Sequence, residues 1–507
     1  MNYFFRFSLL MGLSYLIQTT TLAQSAKYWI FFSSKDTTQS KVSLSPETYQ
    51  NRAAQGLPLF QASDLLVNPD FLTQLKAEGI RLEVSSKWLN ACSAYLTKEQ
   101  LMRVQRFPFV FGIMLIRKDL RFTEEKKDSS FKSSIALEQL NAEYLLEQNL
   151  TGEGVTVGVI DAGFFGVQRS RFLRHLLDKN QILGFRDYVK PDNEEFFTRR
   201  QTPSDNHGTT VLRYLTGIDS AKNQREGLAV KSKFYLARTD HGTKEFRGEE
   251  DYWVAALEWM DSLGVRLINT SLGYSVDFDN PEEDYLISEM DGKTAITTRA
   301  AEIAATQKGM IIVCSAGNEG NRPDWGIISA PADAEHVLAV GATNPQGFKM
   351  GYSSLGTSNL PYLKPDVVIH ASSGTSFAAP VITGFIACLL QAHPDASQAD
   401  ILAAVRQSAN AYPFGNYHLG YGIPNAALAL RFLKKKKLKM RIKEVKGGHS
   451  HYILKEEQAQ DFFLIHKSDA HTVLRQELSS SQKIKRFRKA VRTTVLWEGG
   501  GVEIIWK

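Results

Sequence analysis

Apolar and polar residues follow one another along this chain in three successive styles. Between residues 24 and 118 short apolar runs take turns with short amphipathic stretches. Tyr28–Phe32, Ile80–Val84 and Phe109–Ile116 read as strands, and Pro46–Ala54, Asp70–Glu78 and Thr97–Arg106 as helices, the last with Thr97 as N-cap. These predict a small α/β unit. Residues 119–134 are polar, with Lys126-Lys127-Asp128-Ser129-Ser130 at their centre, and read as a solvated linker open to proteolysis.

From 135 to 433 the rhythm changes. Leu137, Leu140 and Tyr144 share one helix face, and Trp253, Ala256, Leu257 and Met260 another. Val155–Ile160, Val265–Asn269, Met310–Cys314 and Val337–Gly341 are unbroken apolar runs. Thr294–Gln307 (closed by Gly309), the stretch after Ser376, and Gln398–Ala409 behind the N-cap Ser397 are helical between them. Apolar strands separated by helices imply crossover connections, hence an α/β fold whose parallel sheet is covered by helices on both faces. Residues 434–507 fall into short alternating segments ending in Val502–Trp506, which predicts a small β-rich C-terminal domain.

Composition narrows the class. A chain of 507 residues that is 43% hydrophobic and 22% charged is neither disordered nor a bundle of membrane spans, and has length for about three domains. Cys92, Cys314 and Cys388 are too few and scattered for a disulfide framework. The net charge of +6 is local, since residues 434–507 hold 18 Lys/Arg against 8 Asp/Glu. Nothing global therefore marks a nucleic-acid binder, and Lys434–Lys437 reads as a solvated linker before it reads as an anchor to acidic polymers. At the other end Arg6, the apolar run Phe7–Ile17 and the small-residue site Thr21-Leu22-Ala23 have the form of a signal peptide over residues 1–23. A secreted, periplasmic or cell-surface location follows. No later run reaches about 18 uninterrupted apolar residues, so no transmembrane segment is expected.

Four polar residues interrupt or end buried elements. Asp161 closes the strand in VTVGVIDAG, at the carboxyl end of a sheet strand, where open α/β sheets place their sites. His207 opens a helix in DNHGTTVLRYLTG. Ser376 stands in SSGTSFAAPVITGFIACLL at the N-terminus of an apolar helix, where backbone N–H groups favour developing negative charge. Serine attacks only when a histidine takes its proton, and that histidine needs a carboxylate to hold its tautomer. Asn318, after the strand ending at Cys314, can aim its amide at an oxyanion, with the Ser376 N–H as second donor. Activity carried by such a histidine rises as the imidazole loses its proton.

DAG at 161–163, HGT at 207–209, SLG at 271–273, SAGNEG at 315–320 and GTSFAAP at 374–380 resemble the subtilisin-like (subtilase) serine peptidases over residues 145–433. The resemblance implies a secreted serine endopeptidase acting through an acyl-enzyme, with Asp161, His207, Ser376 and Asn318 as triad acid, base, nucleophile and oxyanion amide. It implies that Ser271, Leu272 and Gly273 line the substrate backbone as an edge strand, and that Ser315, Ala316 and Gly317 wall the pocket for the side chain before the cut. Residues 24–118 resemble an inhibitory propeptide. On that reading Phe109–Ile116 pairs with Ser271–Gly273, and the maturation cut falls within Ile116–Ser134. Protein or peptide substrates and the chain's own propeptide are then the partners of a monomer. Thr210 stands where the family commonly has histidine, and the stretch from Lys364 to Ser376 is short, which leaves the leaving-side contacts open. No cofactor or metal is expected, the acidic loop Asp277–Asp291 reading as a solvated face. The alternative is a non-catalytic binding module on the same fold.

Overall fold

The computed structural model describes residues 26–35, 44–116, 134–193, 197, 202–219, 221–222, 224–242, 245–434, 442–455 and 461–507. Its centre is a seven-stranded sheet of β5 (Thr156–Asp161), β6 (Ile182–Asp187), β7 (Lys233–Arg238), β8 (Leu267–Thr270), β9 (Ile311–Ser315), β10 (Leu338–Thr343) and β11 (Val367–His370). They lie side by side in the order β11-β10-β9-β8-β5-β7-β6. Every neighbouring pair is parallel. Alternate residues of a strand face opposite sides, and β5 shows why the central strands read as continuously apolar. Val157 and Val159 enter one buried cluster, and Ile160 the other. Between them Gly158 leaves room for Met260, whose Sδ would sit 2.4 Å from an added Cβ.

Helices α1 (His207–Thr216), α4 (Ala379–Ala392) and α5 (Gln398–Ser408) fill the first cluster with Val211, Leu215, Ile382, Phe385, Ile401 and Val405. Helices α2 (Glu249–Ser262) and α3 (Ile296–Lys308) fill the second with Trp253, Leu257, Met260, Ala301 and Ala304. By length and composition Thr375–Ala392 could cross a membrane, but 83% of it is buried inside the fold, which is why it is so apolar. The helix face Leu137, Leu140, Tyr144 is divided between two short helices, Ile135–Gln139 and Glu143–Leu146. Asn141, in the left-handed region at φ 56°, breaks it.

The N-terminal unit is a four-stranded antiparallel sheet of β1 (Ala26–Phe32), β2 (Leu82–Ser86), β3 (Ala91–Leu96) and β4 (Val110–Ile116), in the order β2-β3-β1-β4. One face covers its own helices Pro69–Ala77 and Lys98–Val104, whereas the helix Pro46–Ala54 lies against the C-terminal end of α2, where Thr48 Oγ1 donates to the Asp261 carbonyl at 2.9 Å. The other lays Trp29, Trp88 and Ile116 into the cluster of α2 and α3. Around that apolar contact lie buried ion pairs. Lys27 Nζ meets Asp251 at 2.7 Å and the Gly248 carbonyl at 3.2 Å. Arg52 binds Asp64 at 2.7 Å and Asp261 at 3.3 Å, and Lys308 reaches Asp64 at 2.8 Å. The Glu258 carboxylate accepts from Ser86 Oγ and from the Trp88 N–H. The expected pairing of the last strand with Ser271–Gly273 is not formed among the described residues: β4 is the outer strand of its sheet, paired only with β1 from Lys27 opposite Ile116 onward, and no backbone bond joins it to Ser271–Gly273. Residues 117–133, which contain nearly all of the expected cut region, lie outside the described residues, as does the 1–23 segment.

The C-terminal residues form a five-stranded sheet of Ile442–Lys446, Gly500–Ile505, Arg492–Trp497, Phe462–Lys467 and Val473–Ser479, with a two-stranded ribbon beside it. This is no loose tail. Ile442, Ile465 and Leu496 share a buried cluster with Val368, Ala411 and Leu419 of the central unit.

Candidate active site

Three connections at the carboxyl ends of the central strands bring the predicted residues together. Asp161, the last residue of β5, is fully buried. Its Oδ1 accepts from the Ala162 N–H at 2.8 Å and from His207 Nδ1 at 2.7 Å. His207 is the first residue of α1, and the approach depends on glycine. A Cβ on Gly208 would stand 2.5 Å from the Gly163 carbonyl, and one on Gly163 would stand 2.7 Å from Asp205 Cα. Burial works against an imidazolium at His207. The charge and hydrogen bond of Asp161, with a smaller contribution from Asp240, outweigh it and raise the pKa above the ordinary 6.5.

Ser376 lies in the single turn Thr375–Phe377 that leads into α4. The preceding Gly374 has φ 135°, a conformation that other residues rarely adopt. Phe377 lies against the imidazole, with ring centroids 5.5 Å apart, which sets the serine beside His207. The hydroxyl is turned away, however. Ser376 Oγ donates to the Ser271 carbonyl at 3.3 Å, and no bond to His207 is formed. Asn318 is exposed, and Thr375 fixes its orientation by donating its N–H to Oδ1 at 2.9 Å. Among the described residues the amide NH2 of Asn318 donates to no protein acceptor.

The segment Ser271–Gly273 follows β8 but is not itself a strand. Ser271 Oγ donates to the Ser376 carbonyl at 2.8 Å, and the chain then leads away from the serine. Among the described residues Leu272 and Gly273 make no backbone–backbone hydrogen bonds, so their peptide groups can still pair with an extended chain. Ser315, Ala316 and Gly317 are buried. Ala316 already bonds Val340 and Ser329 through its peptide groups, so this segment offers a wall and not a pairing edge. A cavity of about 330 Å³ is lined by Asn206, Thr209, Thr210 and Arg213, which flank His207 in the chain, and by Phe165, Gly166 and Ser170. The three cysteines are buried free thiols.

One group near the site escaped the motifs. Asp240, Glu245 and Glu249 bring a carboxylate oxygen each to within 4.8 Å of one another. Burial, with the charge of Asp161 added, pushes Asp240 up to about 6, against the pull of His207 and Arg238. In the sequence these acids straddle an irregular loop and a helix start without periodicity, so they look like ordinary solvated charge.

Comparison with known proteins agrees with this arrangement. Residues 152–422 match the subtilase family, Peptidase S8. Residues 27–133 match the Peptidase S8 propeptide domain of Bacteroidota. Subtilisin NAT of Bacillus subtilis subsp. natto is 23% identical over 366 residues, covering 70% of this chain and 84% of that protein. Subtilisin of Bacillus pumilus is 25% identical over 302 residues, covering 58% and 97%. Among solved structures, the epidermin leader peptide processing serine protease of Staphylococcus aureus superposes with a TM-score of 0.54. It has 16% identity and covers 80% of this chain and 99% of its own, a likeness of fold. The class is that of subtilisin-like serine peptidases made with a propeptide. This chain belongs to the subtilase family.

Proposed function

We propose that this peptidase is a secreted endopeptidase made as a zymogen, with Ser376 as nucleophile, His207 as general base and Asp161 as the carboxylate that orients it. The observation that carries this reading is the 2.7 Å bond from His207 Nδ1 to Asp161, with Phe377, next to Ser376, lying against the same imidazole. The Nδ1 bond leaves Nε2 as the acceptor for a serine proton. Rotation of the Ser376 hydroxyl from the Ser271 carbonyl to Nε2 prepares attack, and catalytic hydrogen bonds commonly tighten only when substrate is bound. Oγ then adds to the peptide carbonyl carbon as its proton passes to His207. The oxyanion is held by the Asn318 amide and the Ser376 N–H. Collapse breaks the C–N bond, His207 returns the proton to the departing amine, and water repeats the sequence on the acyl-enzyme.

Substrate backbone pairs with Leu272 and Gly273 beyond Ser271, and Ser315–Gly317 wall the pocket for the residue before the cut. The N-terminal unit is the intramolecular inhibitor, clamped by Lys27, Arg52 and Lys308, and the 1–23 segment directs export. A fluorophosphonate probe tests the reading directly. The parent is expected to be labelled and Ser376→Ala not, with turnover of a peptide substrate down on the order of 10⁶-fold. A parent that resists the probe would leave the non-catalytic binding module as the better account.

A further inference from the structure

The acidic group of Asp240, Glu245 and Glu249 takes no proton in the chemistry above, yet it adjoins it, and the charge of Asp240 acts on His207. Its three carboxylates lie within 4.8 Å of one another, and no ion pair with a Lys or Arg neutralises them among the described residues. The nearby guanidinium groups are committed elsewhere, Arg238 to Asp187 and Asp205, and Arg247 to Glu283, Glu289 and the Tyr285 ring. Two buried polar atoms stand there without partners. Glu249 is 1% exposed, and while its Oε1 accepts from the His241 N–H, its Oε2 has no partner. The Tyr274 hydroxyl, on a side chain 4% exposed, also has none. Burial and then the charges of Glu249, Asp240, Glu250 and Glu245 push that phenol well up, so the same acids act on it. Unpartnered buried carboxylate and hydroxyl oxygens are costly, and a cation with several N–H donors satisfies both at once.

Two observations indicate where the cation comes from. Tyr274 follows directly on Ser271–Gly273, so a peptide laid along that segment with its reactive carbonyl at Ser376 reaches the acids with a side chain a few residues from the cut. Asp240 and Glu245 are half-exposed, which leaves the group open on that path. The second is the chain's own sequence. Ile116 ends β4 in the cluster that also holds Leu272 and Tyr274, and the residues that follow it include Arg117, Lys118 and Arg121. In a cut C-terminal to Arg121 all three lie upstream of the broken bond.

We propose that Asp240, Glu245 and Glu249, with the Tyr274 hydroxyl, form a subsite for the guanidinium or ammonium of a Lys or Arg two to four residues before the cut. The assignment rests on the endopeptidase reading and adds a substrate class to it: peptides basic upstream of the scissile bond, beginning with the chain's own processing segment.

The test uses enzyme matured from the full chain and pairs of fluorogenic peptides carrying arginine or its neutral isostere citrulline at the second, third or fourth position before the cut. For the parent, kcat/KM is expected to favour arginine by about 10–100-fold at one of these positions, the range of a desolvated charge-assisted bond. Glu245→Gln and Glu249→Gln are expected to bring that ratio to within about threefold of one. The ratio is internal, so a general loss of activity moves both of its terms together. Glu245 is half-exposed and tolerates the change even if Glu249→Gln folds poorly. A parent ratio near one at all three positions, or a ratio that survives both substitutions, overturns the proposal. So does a rise in Tm with millimolar calcium chloride that Glu249→Gln abolishes, which would make the group a divalent-ion site. If the parent is not labelled by fluorophosphonate, the endopeptidase reading fails instead. The subsite is then judged by the Kd of fluorescein-labelled arginine and citrulline peptides for the full chain, with the same ratio deciding.

Discussion

Thr375 holds Asn318 by the oxygen end of its amide, which leaves the NH2 end as the donor for the oxyanion proposed above. Preorganisation of this kind is worth most where charge develops. Asn318→Ala is expected to lower kcat by roughly 10²–10³-fold with little change in KM, because the Ser376 N–H remains; steady-state kinetics on one peptide check this. At His207 only the neutral imidazole accepts a proton, so activity is lost as the pH falls through its pKa. Because Asp161 and Asp240 raise that pKa, the acid limb is expected above pH 6.5. Asp240→Asn removes one of the two charges, so the limb of log(kcat/KM) against pH is expected to move to lower pH. A limb that stays in place would show that Asp240 does not act on the histidine. The four residues at this centre were legible in the sequence because each punctuates an apolar run. Asp240, Glu245 and Glu249 were not, since their meeting depends on how a loop folds back on a helix start.

Helix α2 is an element with two clients. Its first turn supplies Glu249 to the acidic group, while Asp251, Glu258 and Asp261 bind Lys27, Ser86 and Arg52 of the N-terminal unit. Removing one member of a buried charge pair costs about 2–5 kcal/mol, which is about 30-fold or more in affinity. The separated fragment of residues 24–118 is therefore expected to inhibit the mature enzyme in trans, and Lys27→Ala to raise its inhibition constant by at least about 30-fold. Inhibition unchanged by the substitution would mean that Lys27 is a bystander. The elements of this unit show what pattern reading can reach. Capped helices were plain, Thr97 with its capping box above all. Strand β3 was not foreseen, because Ala91, Cys92, Ser93 and Ala94 are small and carry no alternation, although all four are buried. The edge strand β6, exposed at Leu183, Phe185 and Arg186, was equally quiet. The break at Asn141 also left no mark on the periodicity, since three apolar residues kept helical spacing across it.

At the scale of the molecule the C-terminal sheet is structural before it is anything else. Ending the chain at Lys434 would uncover Val368, Ala411 and Leu419 by removing Ile442, Ile465 and Leu496. A buried side chain of this kind is worth about 1.5–3 kcal/mol, so Tm is expected to fall by roughly 5–10 °C in a calorimetric scan. Its basic excess is partly spent inside, with Lys467 buried against Glu503 at 2.9 Å. The contacts of α2 with the N-terminal unit reach further than inhibition. A seven-stranded parallel sheet joins residues far apart in the chain, from Thr156 to His370, and such topologies form slowly. The N-terminal unit supplies Lys27 and Arg52 to Asp251 and Asp261 of α2. On the zymogen reading, cutting the unit away takes those partners from Asp251 and Asp261, and the remaining chain is expected to refold slowly without it. The working life of such an enzyme is then expected to be set by the rate at which it opens and not by an equilibrium, a matter of the height of one barrier.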